Sequence, residues 1–292
     1  MSLIQIIAHA VIGAALTWST PASAPAPLSC PRSVERGFRV FEFLNYAGRP
    51  DLRQYGMEPV TIIDRGVWQE GVPRTEPVDL QLVRERLAAI PDNGTPIILD
   101  FEDFRTAGDD RAAAAALHRL NQIIRTFRAA DPNRQFGFYT TLPTIDYWRA
   151  IEGPGSPRYQ AWQSQNDRMG PLEPQVDALF ASAYTYYEDI PGWVAYATAQ
   201  ICEARRLSNK PVYVFLWPEF HDGNRPHRGA RVPGHYWRIQ LETIRRLADG
   251  VVLWGGYDLR HDRQAQWEPH EGWWIETVRF MESLRRGREA GG

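Results

Sequence analysis

Seven short apolar runs, spaced by helical patterns, constrain the fold of this chain more than any other feature. The runs cover residues 39–44, 60–63, 96–102, 136–140, 178–185, 211–217 and 251–255. Helical periodicity fills the gaps over residues 78–90, 110–130, 193–206, 236–247 and 273–285. A strand must bury both faces to be apolar throughout, and strands alternating with helices do so in a parallel sheet. Several runs end in polar or aromatic residues: Asn45-Tyr46, Asp64, Asp100 and Glu102, Tyr139, Tyr184, Trp217 with Glu219, and Trp254. Side chains from many strand ends converging on one mouth is the way a barrel assembles a site. The expected fold is therefore α/β, a distorted TIM-like (β/α) barrel of about seven parallel strands. The longer segments 142–176 and 220–234, read as irregular, would wall a cleft at that mouth.

The 292 residues divide on this reading into a signal peptide at 1–24, a Pro-rich linker at 25–36 and a single barrel domain at 37–292. Residues 3–18 are largely apolar and Ala22-Ser23-Ala24 has the small-residue pattern of a cleavage site, which predicts export to the periplasm or the medium. No later run reaches spanning length, so no stable membrane insertion of the mature chain is expected. Lys plus Arg total 33 against 35 acidic residues, which gives no electrostatic footprint for nucleic acid. The two cysteines, Cys30 and Cys202, permit one disulfide, but Cys202 also fits a small buried position in a helical pattern. The pairs Arg205-Arg206 and Arg245-Arg246 read as solvated helix faces.

The run at 96–102 ends in Asp100-Phe101-Glu102-Asp103. Strand alternation turns Asp100 and Glu102 to one side, where each raises the other's affinity for a proton, so that one can remain an acid near neutrality. Asp103 reads instead as the N-cap of the Ala-rich helix that follows. Other chemistries fit less well. The histidines cluster toward the C-terminus without HExxH or CxxC spacing, and no GxSxG elbow, P-loop or GxGxxG is present. Neither a metal nor a cofactor is expected. The 11 Trp, 12 Tyr and 12 Phe fit a cleft that stacks sugar rings, and fit a packed interior equally well.

Leu99-Asp100-Phe101-Glu102-Asp103-Phe104-Arg105 resembles the active-site segment of the hyaluronidase-type glycoside hydrolases. Further segments are similar in the same order: Asp64-Arg65-Gly66, Gly137-Phe138-Tyr139, Gln165-Asn166-Asp167-Arg168-Met169, Ala181-Ser182-Ala183-Tyr184 and Gly250-Val251-Val252-Leu253-Trp254-Gly255-Gly256. The resemblance implies a retaining, substrate-assisted endo-β-N-acetylhexosaminidase acting on a glycosaminoglycan or similar acetamido-sugar polymer. It implies Asp100, Glu102 and Tyr184 as catalytic residues and Tyr139, Trp254, Asp64 and Trp217 as substrate-binding ones. Residues 140–143 and 185–188 depart from the family pattern, so the resemblance bears on reaction type more than on polymer. Two alternatives stand beside it. A chitinase-like barrel would carry DxxDxDxE, which asks for acids where Thr95 and Ile98 lie. A non-catalytic carbohydrate-binding barrel would keep the cleft without needing the acid pair. Oligomeric state is not legible.

Overall fold

The computed structural model describes Cys30 and residues 37–104, 109–258 and 261–291. The signal-like segment, most of the Pro-rich segment and Arg105 lie outside these residues.

The strands are β1 (Arg39–Leu44), β2 (Glu58–Pro59), β3 (Thr61–Ile63), β4 (Ile97–Leu99), β5 (Phe136–Phe138), β6 (Leu179–Ser182), β7 (Val212–Leu216) and β8 (Gly250–Gly255), followed by a short antiparallel pair, β9 (Tyr257–Asp258) and β10 (Arg263–Gln264). All pairings among β1–β8 are parallel. β1 lies between β2 and β8, and the Val60 amide donates to the Glu42 carbonyl (3.1 Å), which carries the edge from β2 into β3. β3 pairs with β4, and β4 with β5. A bridge between Tyr139 and Phe180, with the Thr140 amide donating to the Phe180 carbonyl (2.9 Å), joins β5 to β6. β6, β7 and β8 complete the circuit back to β1. With β2 and β3 as one interrupted stave the ring has the seven parallel staves read from the sequence.

Alternation along the strands makes two cores. Phe41, Ile98, Tyr139, Phe180, Tyr213, Phe215 and Val252 pack together inside the ring. Val40, Ile97, Leu99, Phe136, Leu179, Val214 and Leu253 belong to a second cluster shared with the helices. Gly137 belongs to the interior, because a Cβ there would lie 2.5 Å from the Phe180 ring and the Ala178 carbonyl.

The helices are α1 (Leu80–Ala88), α2 (Asp110–Ala130), α3 (Tyr147–Ile151), α4 (Pro157–Met169), α5 (Ile190–Leu207), α6 (Gly234–Leu247) and α7 (Gly272–Gly291). α2 buries Ala113, Ala116, Leu120, Ile123, Ile124 and Phe127, positions three or four apart on one face. Each fully buried large side chain there contributes about 1.5–3 kcal/mol.

Four expectations are corrected. Segment 142–176 is not irregular, since it holds α3, α4 and a 3₁₀ turn at Gly170–Gln175. Ser156 caps α4 and Pro157 starts it, but Gln165 and Asn166 occupy its buried face and hide the amphipathic pattern. Asp109, not Asp103, caps α2, its carboxylate accepting the Ala112 amide at 2.8 Å. Arg205 is buried rather than solvated, donating twice to the Leu247 carbonyl at the end of α6 (2.9 and 2.7 Å) and pairing with Asp249 (3.3 Å). Cys202 is not a lone buried thiol: it is bonded to Cys30, with Cα atoms 5.1 Å apart.

Candidate active site

The strand order that closes the ring also decides which side chains reach its C-terminal mouth. Interior positions repeat every second residue, so Asp64 follows Ile62, Asp100 follows Ile98, Trp217 follows Phe215 and Trp254 follows Val252. On β6 the same parity runs through Phe180, Ser182 and Tyr184. The Asp100 amide still donates to the Ile63 carbonyl (2.9 Å), which holds that residue in strand geometry one step beyond β4. Glu102 follows in a turn at the open rim.

The electrostatics of this mouth are unusual. Burial pushes the Asp100 carboxyl up to about 7, and the charges of Glu102, Asp64 and Asp103 add to the rise while Arg74 opposes it. Partial desolvation of its carboxyl raises Glu102 as well, with Asp103 adding repulsion, although the residue as a whole is exposed. Crowding and partial burial therefore displace both carboxyls toward the protonated form, Asp100 the more strongly. Asp100 Oδ1 is buried and accepts no hydrogen bond, and the buried Trp217 indole N–H likewise has no partner. Buried polar atoms are usually paired, so both are free to bond a group that enters the mouth.

Tyr139 and Tyr184 are buried beside the carboxyls, their rings 6.1 Å apart. Burial keeps both phenols protonated, with pKa values well above the ordinary tyrosine range. The Tyr139 hydroxyl lies 3.4 Å from the Ser182 hydroxyl and beside that of Tyr184. The charge of Glu102 is felt by both phenols, and by Tyr186. Trp217 and Trp254 meet edge to face at 4.9 Å, each within 6 Å of the Tyr184 ring. The chain leaves Trp254 through Gly255 and Gly256. At Gly256 φ is +106° and a Cβ would lie 2.3 Å from the Asn45 backbone, so only glycine lets β8 turn away there.

The structure thus brings Asp100, Glu102, Tyr139, Tyr184, Trp217 and Trp254 together. Asp64 stands at the edge, its side chain about half exposed and paired with Arg65 at 3.2 Å. The sequence reading missed three neighbours. Arg74 pairs with Asp103, donates to the Asp64 carbonyl (2.5 Å) and lies over the Trp68 ring at 5.0 Å. Its place in the loop after β3, at the mouth, is the signal that could have found it. Tyr186 and His221 extend the aromatic wall, 4.5 Å apart, with His221 also 6.1 Å from Tyr184. Burial favours the neutral imidazole, whose Nδ1 accepts the Gly223 amide (3.0 Å). Among the described residues no group of three or more His, Cys, Asp or Glu is arranged to hold a metal ion.

No protein-family model matches the chain, and no curated protein matches it in sequence. Among solved structures it is similar to bee venom hyaluronidase in complex with a hyaluronic acid tetramer, with a TM-score of 0.55 and 17% identity over 85% of this chain and 96% of that one. A β-D-glucuronidase from Dictyoglomus thermophilum matches with a TM-score of 0.44 and 13% identity, covering 86% of this chain and 45% of that one. A β-1,4-mannanase matches at 0.39 and 12%, covering 87% and 100%. The likeness to the bee venom enzyme is one of fold, and with the closed ring of staves it makes this chain a (β/α) barrel.

Proposed function

We propose that this barrel is a retaining, substrate-assisted glycoside hydrolase of hyaluronidase type, cleaving β-linked N-acetylhexosamine in a glycosaminoglycan or similar polymer. The observation that carries the reading is the Asp100–Glu102 pair at the mouth beside Tyr184, both carboxyls displaced toward the protonated form and Asp100 Oδ1 open to a hydrogen bond. The fold shared with an enzyme solved with a hyaluronic acid tetramer supports it.

In this reading Glu102 gives its proton to the glycosidic oxygen as the bond to the anomeric carbon breaks. The acetamido oxygen of the same sugar attacks that carbon, so no second carboxylate serves as nucleophile, an exception to the two-carboxylate scheme. Asp100 accepts the acetamido N–H on its free oxygen and stabilises the cyclic cation. Tyr184 donates its hydroxyl hydrogen to the acetamido group and holds it in line for attack. Glu102, now a carboxylate, takes a proton from water as the water adds to the anomeric carbon, which regenerates the acetamide with configuration retained. Trp254 packs on the acetamido methyl, Tyr139 and Trp217 line the same subsite, and Asp64 contacts the sugar at the edge. Cofactor and metal take no part in this route. The signal-like residues 1–24 and the Cys30–Cys202 bond favour an exported protein, and no helix among the described residues is long and apolar enough to cross a membrane.

The test is reducing-end release from hyaluronan, chondroitin, heparosan, chitin oligomers and peptidoglycan glycan, with Glu102→Gln as control. Release that disappears with the substitution establishes a hydrolase and names its substrate class. No release from any polymer, with binding to one retained, assigns the barrel to carbohydrate binding instead.

A further inference from the structure

The aromatic wall of the mouth does not stop at the cleft. From Tyr184 it passes to His221 (6.1 Å), Tyr186 (4.5 Å) and Tyr187 (6.5 Å), and from Tyr187 to Trp148 (5.1 Å). Tyr147 lies beneath this outer end, 4.9 Å from Tyr187 and 5.2 Å from Trp148. Trp148 is 55% exposed and Tyr187 37%. Both belong to segments that follow β5 and β6 at their C-terminal ends, the same face of the barrel as the carboxyls.

A single exposed aromatic is ordinary. This pair is built differently, because each half is fixed from below. The Tyr187 carbonyl accepts the hydroxyl hydrogen of buried Tyr236 (3.2 Å), and the next residues enter α5 through the Asp189 cap. The neighbouring Thr185 hydroxyl accepts from Gln240 (2.8 Å). On the other side Asp146 caps α3, and Arg149 ties that helix to Asp146 (2.6 Å) and to Gln165 (2.7 Å). Beside the pair, Glu188 lies 3.0 Å from His227 Nε2 and Arg149 pairs with Asp146. What remains open is a pair of ring faces on an anchored backbone, continuous with the cleft. Such a surface suits the apolar C–H face of a pyranose ring.

We infer that Trp148 and Tyr187 form a distal subsite that stacks a sugar unit of the same polymer, several units from the bond positioned at Glu102. The inference rests on the glycoside hydrolase reading for the identity of that polymer, and it makes the protein a binder of long chains that engages them along their length.

The test uses the full chain carrying Glu102→Gln, so that binding is read without turnover. Calorimetry compares N-acetylchitohexaose and a hyaluronan decasaccharide with their disaccharides, before and after Trp148→Ala with Tyr187→Ala. The expected result is a loss of about tenfold in affinity for the long ligand that binds, and a loss below about threefold for its disaccharide. Trp148→Phe with Tyr187 intact should recover most of the long-chain affinity. Unchanged long-chain affinity, an equal loss for long and short ligands, or no measurable binding of either long ligand overturns the subsite. So does a change in sedimentation from dimer to monomer in the double variant, which would make the face a contact between copies. The two readings separate cleanly. Trp148-dependent binding by a native chain that releases no reducing ends keeps the subsite and removes the hydrolase, whereas release that ignores both substitutions does the reverse.

Discussion

Two acids at the barrel mouth, Asp100 after β4 and Glu219 after β7, share burial and an upward displacement to about 7 but differ in company. Burial is the main cause in both. Glu219 is 2% exposed and ion-paired with Arg231, which also donates to the Tyr46 hydroxyl (3.2 Å) and to Glu271 (3.1 Å). Asp100 faces like charges at Glu102, Asp64 and Asp103, and one of its oxygens has no partner. A buried acid inside a completed network fixes two loops to each other, while a buried acid among other acids holds a proton it can share. Displacement of the pKa alone does not separate the two roles, and the surrounding atoms do.

The largest expected effect breaks the comparison at its chemical end. Glu102→Gln keeps the shape of the rim and removes the proton donor, so turnover of whichever polymer is cleaved should fall by about 10²–10⁴-fold. The melting temperature should stay near its starting value because Glu102 is exposed. Initial rates and a melting curve on the same preparation decide the matter, and a variant that keeps full turnover removes Glu102 from the mechanism. The next effect lies at the other end. Glu219→Ala removes a buried side chain together with its hydrogen bond from Arg231, which should cost about 2–4 kcal/mol of stability. Denaturant unfolding measures this, and an unfolding midpoint equal to that of the native chain would show the network to be dispensable. A smaller effect returns to the mouth. Tyr184→Phe removes one hydrogen bond to the acetamido group, and turnover should drop about tenfold, with binding of the polymer largely kept. Identical kinetics in the two chains would leave Tyr184 as packing for Trp217 and Trp254 alone.

The sequence carried the staves well because continuous apolar runs have few other homes, and the polar and aromatic residues that end them, Asp100, Trp217 and Trp254 among them, read as converging on one mouth. α2 was legible to its ends, Asp110 to Ala130, because its apolar positions repeat without interruption. α4 was not, since Gln165 and Asn166 lie buried where leucines would signal a helix, satisfied by Thr144, Arg149 and Glu203. The Cys30–Cys202 bond spans 172 positions, and no local pattern encodes a contact of that separation. Arg205 looked like a surface charge because its partners, the Leu247 carbonyl and Asp249, belong to another helix and the turn after it. The wall of Tyr186 and His221 stayed hidden for the same reason: aromatic residues announce burial in a sequence, but which rings meet depends on loops that only the closed barrel brings together.

The smallest effect separates the two acids by pH. An acid whose folded pKa lies above its unfolded value keeps its proton in the native state while the unfolded chain has lost it. Unfolding then releases protons, and stability falls as pH rises across that interval. For Asp100 the interval runs from about 4 to about 7, so its contribution is fully present below about 4 and is gone above about 7. Glu219 adds a fall over nearly the same range. Asp100→Asn carries no proton to lose and also relieves the repulsion on Glu102, so the variant should gain on the native chain by on the order of 1–2 kcal/mol near pH 7 and by nothing near pH 4. Chemical denaturation at both pH values reads the difference directly. Parallel curves for the two chains would mean that Asp100 ionises in the folded state as readily as in the unfolded one, and the contrast with Glu219 would then rest on hydrogen bonding alone.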